Sequence, residues 1–269
     1  MNSPQTASII GIVLARNEDC HIERAVENVA NFCDRLILCD HRSTDRTPDI
    51  LRTMAVRLPL AEFHALRHPR ESHELLKPLV GTRTWVFGVD GDEIYDPAGL
   101  AAFRPRLLAG EFDDVWRIKG NVLHCREVDL AALKATGHQA PPSRSVTKLY
   151  NFAAVASWDG DTVERLHGGT IRFQPGFDDT KKRNLQEELA WEESPLRCLH
   201  LCFLRRSSRE KEAAPVRENI MEIHRGGLSG KLHRLTNRIL GRDTQSRWKQ
   251  NHYCCGPLLT VDTGLFFPS

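Results

Sequence analysis

No stretch of about 18 apolar residues occurs in the chain, so no membrane-spanning helix is expected. The opening residues, M-N-S-P-Q-T-A-S, lack the basic-then-apolar order of a secretion signal, which makes a cytoplasmic location the expectation. Charge of one sign is missing too. With 37 Lys and Arg against 35 Asp and Glu, the formal net charge is only +2, which argues against nucleic acid as the main partner. Eight cysteines are present without a single C-x-x-C pair. Cys198, His200 and Cys202 lie close together, with Cys254 and Cys255 downstream, but without that pairing no structural zinc is expected. In a reducing compartment most of these thiols are expected to stay reduced, several as small core residues. What remains is a 269-residue chain with 41% hydrophobic residues, enough for one large domain, or one domain with an appended lobe, around a real core.

The chain is organised around residues 85–96, W-V-F-G-V-D-G-D-E-I-Y-D. Residues 85–89 form an unbroken apolar run, which fits a buried strand in a sheet covered on both faces. Asp90, Asp92 and Glu93 follow at once, at the strand end where open α/β sheets bind ligands. Carboxylates one residue apart on extended chain face opposite ways, and Gly91 gives the chain freedom to turn so that both aspartates converge. Such a pair suits a hard cation, Mg²⁺ or Mn²⁺, with phosphate oxygens completing its shell. Taken alone, the cluster equally fits a solvated turn capping a helix near Asp96-Pro97.

Upstream, Ser8–Ala15 is a β-branched apolar strand ending in Arg16-Asn17-Glu18-Asp19. Ile22, Ala25, Val26, Val29 and Phe32 then share one face at helical spacing. A second apolar strand over residues 35–39 stops at Asp40. The loop H-R-S-T-D-R-T-P-D follows it, with Thr47 expected as a helix N-cap and Pro48 at the first helical position. A third strand over residues 61–66 and a weakly helical stretch over 70–80 lead to the strand at 85–89. Strand and helix alternate as in a parallel doubly wound sheet, and right-handed crossovers bring Ala15, Asp40 and Asp90 to one edge.

These residues resemble glycosyltransferase family 2 enzymes of the GT-A fold. The resemblance lies in A-R-N-E-D after the first strand, L-I-L-C-D-H-R-S-T-D-R-T-P-D-I-L around the second and V-D-G-D-E after the fourth, and covers roughly residues 8–100. It implies a Rossmann-like, mostly parallel sheet flanked by helices, with a mixed C-terminal extension. It also implies that Ala15 and Arg16, with Asn17 and Glu18 beside them, line the nucleotide, and that Asp40 accepts a hydrogen bond from the base. Asp45 is then a structural loop residue. Asp90 and Asp92 match the family's D-x-D, the first toward ribose and metal and the second coordinating the metal, while Glu93 orients the loop. Arg70 has two readings, a phosphate contact or a solvated surface arginine.

Beyond residue 110 the resemblance thins. Residues 115–124 and 146–155 read as strands of a mixed extension, and 134–144, K-A-T-G-H-Q-A-P-P-S-R, as a flexible lid over an acceptor. W-D-G-D-T-V-E-R-L resembles the family's acceptor-side element with its histidine replaced by Val163, which makes Glu164 the candidate base, with Asp161 and Asp159 as rivals. Glu164 also reads as an ion-pair partner of Arg165. Residues 181–193 read as a charged helix. The apolar run after Pro195 carries His200, either a satisfied core histidine or, by resemblance, the late histidine that reaches the cation or diphosphate. Arg205, Arg206 and Lys211 add charge suited to phosphate.

From residue 205 to 249 twelve Lys or Arg stand against five Asp or Glu. That basic stretch fits a helical tail packed on the core, or peripheral contact with an anionic membrane surface. The closing G-L-F-F-P-S fits packing onto the domain or onto a second subunit. The expected organisation is a catalytic domain over 1–205, with a nucleotide-sugar half at 1–110 and an acceptor half at 111–205, and a basic helical tail over 206–269. The expected activity is inverting transfer from a nucleoside diphosphate sugar, UDP-linked by the resemblance, to a saccharide or lipid-linked acceptor with Mn²⁺ or Mg²⁺. A nucleotidyltransferase on a related sheet and a non-catalytic sugar-nucleotide or polyanion binder are the alternatives.

Overall fold

Four parallel strands carry the molecule: β1 (Ser8–Ala15), β2 (Arg35–Asp40), β3 (Ala61–Ala65) and β4 (Thr84–Asp90), in the order β3-β2-β1-β4. The computed structural model describes residues 6–141, 145–210 and 251–268. Every residue of β1 from Ile9 to Ala15 is buried, as a strand covered on both faces requires. Two crossovers contain α1 (Ile22–Ala30) and α2 (Thr47–Arg57), and the third contains α3 (Glu71–Glu74) and a 3-10 turn at Lys77–Leu79. Thr47 is the first helical residue rather than the expected cap, because its hydroxyl accepts the Glu18 amide at 2.8 Å. This is the α/β architecture with a mostly parallel central sheet that the alternation of apolar runs implies.

At Asp90 the chain leaves this sheet. After Gly91-Asp92 it enters β5 (Glu93–Tyr95), an edge strand of a second sheet, and α4 (Pro97–Leu108) follows, capped by Asp96 on the Ala98 amide at 3.0 Å. The expected strand over 115–124 is two strands, β6 (Arg117–Lys119) in the first sheet and β7 (Asn121–Asp129) in the second. They part at Gly120, where a Cβ would lie 1.9 Å from the Leu196 carbonyl oxygen. Residues 134–139, expected as part of a lid, form β8 (Lys134–Gln139), while 142–144 lie outside the described residues. Gly137 there serves close packing rather than a turn, since a Cβ would stand 2.3 Å from the His124 carbonyl oxygen.

The strand expected over 146–155 is shorter. β9 (Lys148–Asn151) joins the first sheet, a 3-10 turn at Phe152–Ala154 follows, and β10 (Val155–Glu164) pairs with β11 (His167–Phe173) in a separate hairpin. The helix expected over 181–193 is β12 (Lys182–Asn184), paired with β6, and a single turn, α5 (Leu185–Glu188); its Leu185 and Trp191 are core residues. β13 (Arg197–His200) lies between β5 and β7, and β14 (Leu258–Asp262) completes the order β14-β8-β7-β13-β5.

Residues 258–262, in the stretch expected as a helical tail, are therefore woven into the second sheet. Phe266 is buried, its ring stacks 6.1 Å from Trp191, and its carbonyl accepts the Asn28 amide at 2.7 Å, so G-L-F-F-P packs on its own domain. Most of the basic stretch, 211–250, lies outside the described residues. Among the described residues no helix is long and apolar enough to cross a membrane.

Asp34, at the start of β2, ties the base of the sheet: it accepts the Ile9 amide at 2.8 Å and Arg104 at 2.5 Å. Burial alone would raise its pKa, but Arg104 and the Ile9 amide outweigh burial and lower it. Its stabilising contribution is therefore present at neutral pH and is lost as pH falls through and below about 4. Asp34→Ala is expected to lower stability by about 1 kcal/mol at pH 7. Urea titrations should show the gap to wild type closing in acid, and a gap that stays constant with pH would contradict this reading.

Candidate functional site

The pairing register fixes the three polar strand ends. Ala15 of β1 pairs with Asp40 of β2, and Leu14 pairs with Asp90 of β4, so the loops that follow open at one sheet edge. The first two loops are bound to each other. The Asn17 amide donates to Ser43 Oγ at 2.9 Å, and Asn17 Oδ1 accepts the Thr44 amide at 2.7 Å. Asn17 takes a left-handed φ of 53°, which asparagine tolerates well. Arg16 is half-buried, Glu18 buried, and Asp45 accepts the Thr47 amide at 3.0 Å and the Ser207 hydroxyl at 2.6 Å. Asp40 is buried as well. Its Oδ2 accepts the Ser43 amide at 3.3 Å, while Oδ1 has no hydrogen-bond partner among the described residues. Burial raises its pKa.

Asp90 sits between two buried cations. Lys148 Nζ lies 2.8 Å from Oδ2, and the Arg165 guanidinium pairs with Oδ1. Burial works against ionisation here, but Arg165 and Lys148 prevail and hold Asp90 well below the usual carboxylate range. Both oxygens of Asp90, the residue that the D-x-D resemblance turns toward ribose and metal, are thus paired with buried cations in this structure. Arg165 also donates to the Val89 carbonyl at 2.7 Å and to Glu164 at 2.9 Å. Glu93 is fully buried beside them: its Oε2 accepts the Asp90 amide at 3.0 Å and the Tyr95 hydroxyl at 3.3 Å, and Lys148 stands 3.4 Å from Oε1. Burial pushes its carboxyl up to about 8, with Lys148 opposing.

Asp92 belongs to a different set of contacts. It is buried, pairs through Oδ2 with Arg206 and stands 3.6 Å from His200 Nε2 through Oδ1. Burial again disfavours the charge, and Arg206 and then His200 overcome it, bringing Asp92 down to about 2. Gly91 matters here for space, because a Cβ would lie 2.2 Å from Glu18 Oε2 and its φ is not left-handed. Arg206 reaches Glu18 at 3.4 Å as well, on a segment pinned to the first loop: the Cys20 amide donates to the Arg206 carbonyl at 3.0 Å and the Ser208 amide to Asp19 at 2.6 Å.

His200 is brought in by β13, where it pairs with Glu93 of β5 on one side and His124 of β7 on the other. Glu164, half-buried at the end of β10, joins the cluster through Arg165, with His167 3.9 Å away. Asp161 does not join it. It is fully exposed on the hairpin and faces Arg70 at 3.9 Å, while Asp159 is exposed too. Arg70 donates to the Thr162 carbonyl at 3.0 Å and so ties the start of α3 to the hairpin.

Sequence reasoning passed over Lys148 and saw Arg165 only as the ion-pair partner of Glu164, which it is at 2.9 Å. Lys148 left a trace, a lysine in the apolar stretch V-T-K-L-Y-N-F, where a charge is expected to be buried and paired. For Arg165 the ion pair with Glu164 was legible, but its burial and its contact with Asp90 were not. Its role comes from a hairpin that lays residue 165 against the end of β4.

No family model matches the chain. It is 27% identical over 196 residues to a protein of Rickettsia conorii named as an uncharacterized glycosyltransferase, with 71% of this chain and 64% of that one covered. A Rickettsia bellii protein of the same description is 26% identical over 196 residues, covering 71% and 61%. This chain thus spans about three fifths of the length of these relatives. Among solved structures it is similar to a mannosyltransferase of Pyrobaculum calidifontis in complex with GDP-mannose and Mn²⁺. That match has 22% identity, covers 46% of this chain and 38% of the other, and has a TM-score of 0.32.

Proposed function

We propose that the chain is a glycosyltransferase of the GT-A type that binds a UDP-linked sugar at the C-terminal edge of β1, β2 and β4 and transfers the sugar with inversion to an acceptor hydroxyl. The observation that carries this reading is the pair of buried carboxylates Asp40, at the end of β2, and Asp92, two residues past the end of β4, on parallel strands whose ends open on one edge. The Rickettsia relatives named as glycosyltransferases support the same class of reaction. Asp40 offers a buried oxygen with no partner among the described residues, the acceptor that a ring N–H of a nucleobase needs.

A divalent cation suits Asp92, a hard oxygen ligand whose charge Arg206 now balances; Asp90 would stay with Lys148 and Arg165. When bound, such an ion would neutralise charge on the leaving diphosphate. The chain's own residues do the rest. Arg206 supplies a guanidinium for phosphate oxygens, and His200 steadies the Asp92 carboxylate. Glu164 takes the proton of the acceptor hydroxyl as the new bond to the anomeric carbon forms and the bond to diphosphate breaks. Arg165, buried behind it, orients Glu164 through their ion pair. The acceptor we propose is a saccharide or lipid-linked hydroxyl.

The test is a screen of UDP-, GDP-, ADP-, dTDP- and CMP-linked sugars for nucleotide release with Mn²⁺ or Mg²⁺. Release from a UDP-sugar that stops on chelation is the expected result. Silence across all donors, with and without a panel of saccharide acceptors, would overturn the reading.

A further inference from the structure

Three buried side chains beside the carboxylates play no part in nucleotide binding as described: His124 of β7, Cys202 two residues after β13, and the edge of His200 turned away from Asp92. We propose that His124, His200 and Cys202 hold a borderline-soft divalent transition-metal ion of the zinc class, in a site distinct from the hard-cation site at Asp92. Their ligand atoms all lie within 4.8 Å of one another. Two imidazoles and a thiol select such an ion over Mg²⁺ or Mn²⁺, which prefer oxygen.

The sheet builds this group. His200 and His124 are direct register partners on β13 and β7, which sets the two rings side by side with centroids 5.0 Å apart. Their Nδ1 atoms stand 2.8 Å apart. Tetrahedral ligation at about 2.0–2.1 Å places two nitrogens about 3.3 Å apart, so an ion enters with an opening of about half an ångström. The Tyr253 ring stacks on His124 at a centroid distance of 4.2 Å and covers the pair.

His124 meets His200 through Nδ1, the atom that would ligate the ion. Its side chain is fully buried, yet Nε2 has no hydrogen-bond partner among the described residues.

His200 connects the two sites. With one nitrogen on the ion, its other nitrogen carries the proton and faces Asp92 Oδ1 at 3.6 Å, the arrangement in which a carboxylate orients a metal-bound imidazole. The spacing of Cys198, His200 and Cys202 missed this set because the third ligand is His124, 76 positions upstream of His200.

The experiment is a Co²⁺ titration of the full chain after chelator treatment, without nucleotide, so that it does not depend on the transfer reaction. One equivalent of Co²⁺ with a thiolate-to-cobalt absorption band in the near ultraviolet is expected, and Zn²⁺ should abolish the band. Cys202→Ser should remove it, and Asp92→Asn should keep it with affinity about 10- to 100-fold weaker. A wild-type protein without the band, or a band that survives Cys202→Ser, would overturn the proposal.

Discussion

Methionine in place of Arg165 is expected to lower the free energy of unfolding by about 3–5 kcal/mol, the usual cost of removing one partner of a buried ion pair. The side chain is almost wholly buried and holds the Val89 carbonyl, Asp90 and Glu164 together. Without it, Asp90 keeps Lys148, but Glu164 loses the guanidinium at 2.9 Å and a backbone acceptor is left unpaired. Urea unfolding followed by tryptophan fluorescence measures the loss. Combining Arg165→Met with Glu164→Gln should recover part of it, because the second change removes the charge the first has stranded. A single-variant loss below about 1 kcal/mol would mean that the arginine is not buried as described.

Asparagine in place of Asp92 keeps the shape and removes the charge. Turnover of the nucleotide sugar is expected to fall about 10²- to 10³-fold, the scale of losing one electrostatic contact to a developing charge. The fall should appear mainly in kcat if Asp92 acts through an ion on the leaving diphosphate, and mainly in KM if it only helps to seat the donor. Arg206 retains Glu18 at 3.4 Å in this variant, so the pocket keeps a charge partner and near-ultraviolet circular dichroism should match wild type. Wild-type turnover in Asp92→Asn would remove this residue from the site.

The parts of the fold readable in advance were those in which one local pattern suffices. β1, β2 and β4 are continuous apolar runs with polar stops, and parallel pairing then brings those stops to one edge. The second sheet was harder because its strands are short, and β8 carries a glycine that composition assigns to a loop. What makes K-A-T-G-H-Q a strand is the tertiary approach of β7, which a single sequence does not display. The carboxylates were legible as a group, but their division was not. Asp90 and Asp92 are separated by one glycine, yet the first faces Lys148 and Arg165 and the second Arg206 and His200. Those partners come from β9, β10, β13 and the segment beyond, and their positions depend on long-range pairing.

The position of β14 has a further consequence. This strand lies along the outer side of β8 and pairs with it from Leu258↔His138 to Asp262↔Lys134. A chain cut before it would leave the main-chain donors and acceptors of β8 unsatisfied, a template on which strands from neighbouring molecules can add. Among the described residues this five-residue strand is thus the outer edge of the sheet, and its loss would pass that position to the longer β8.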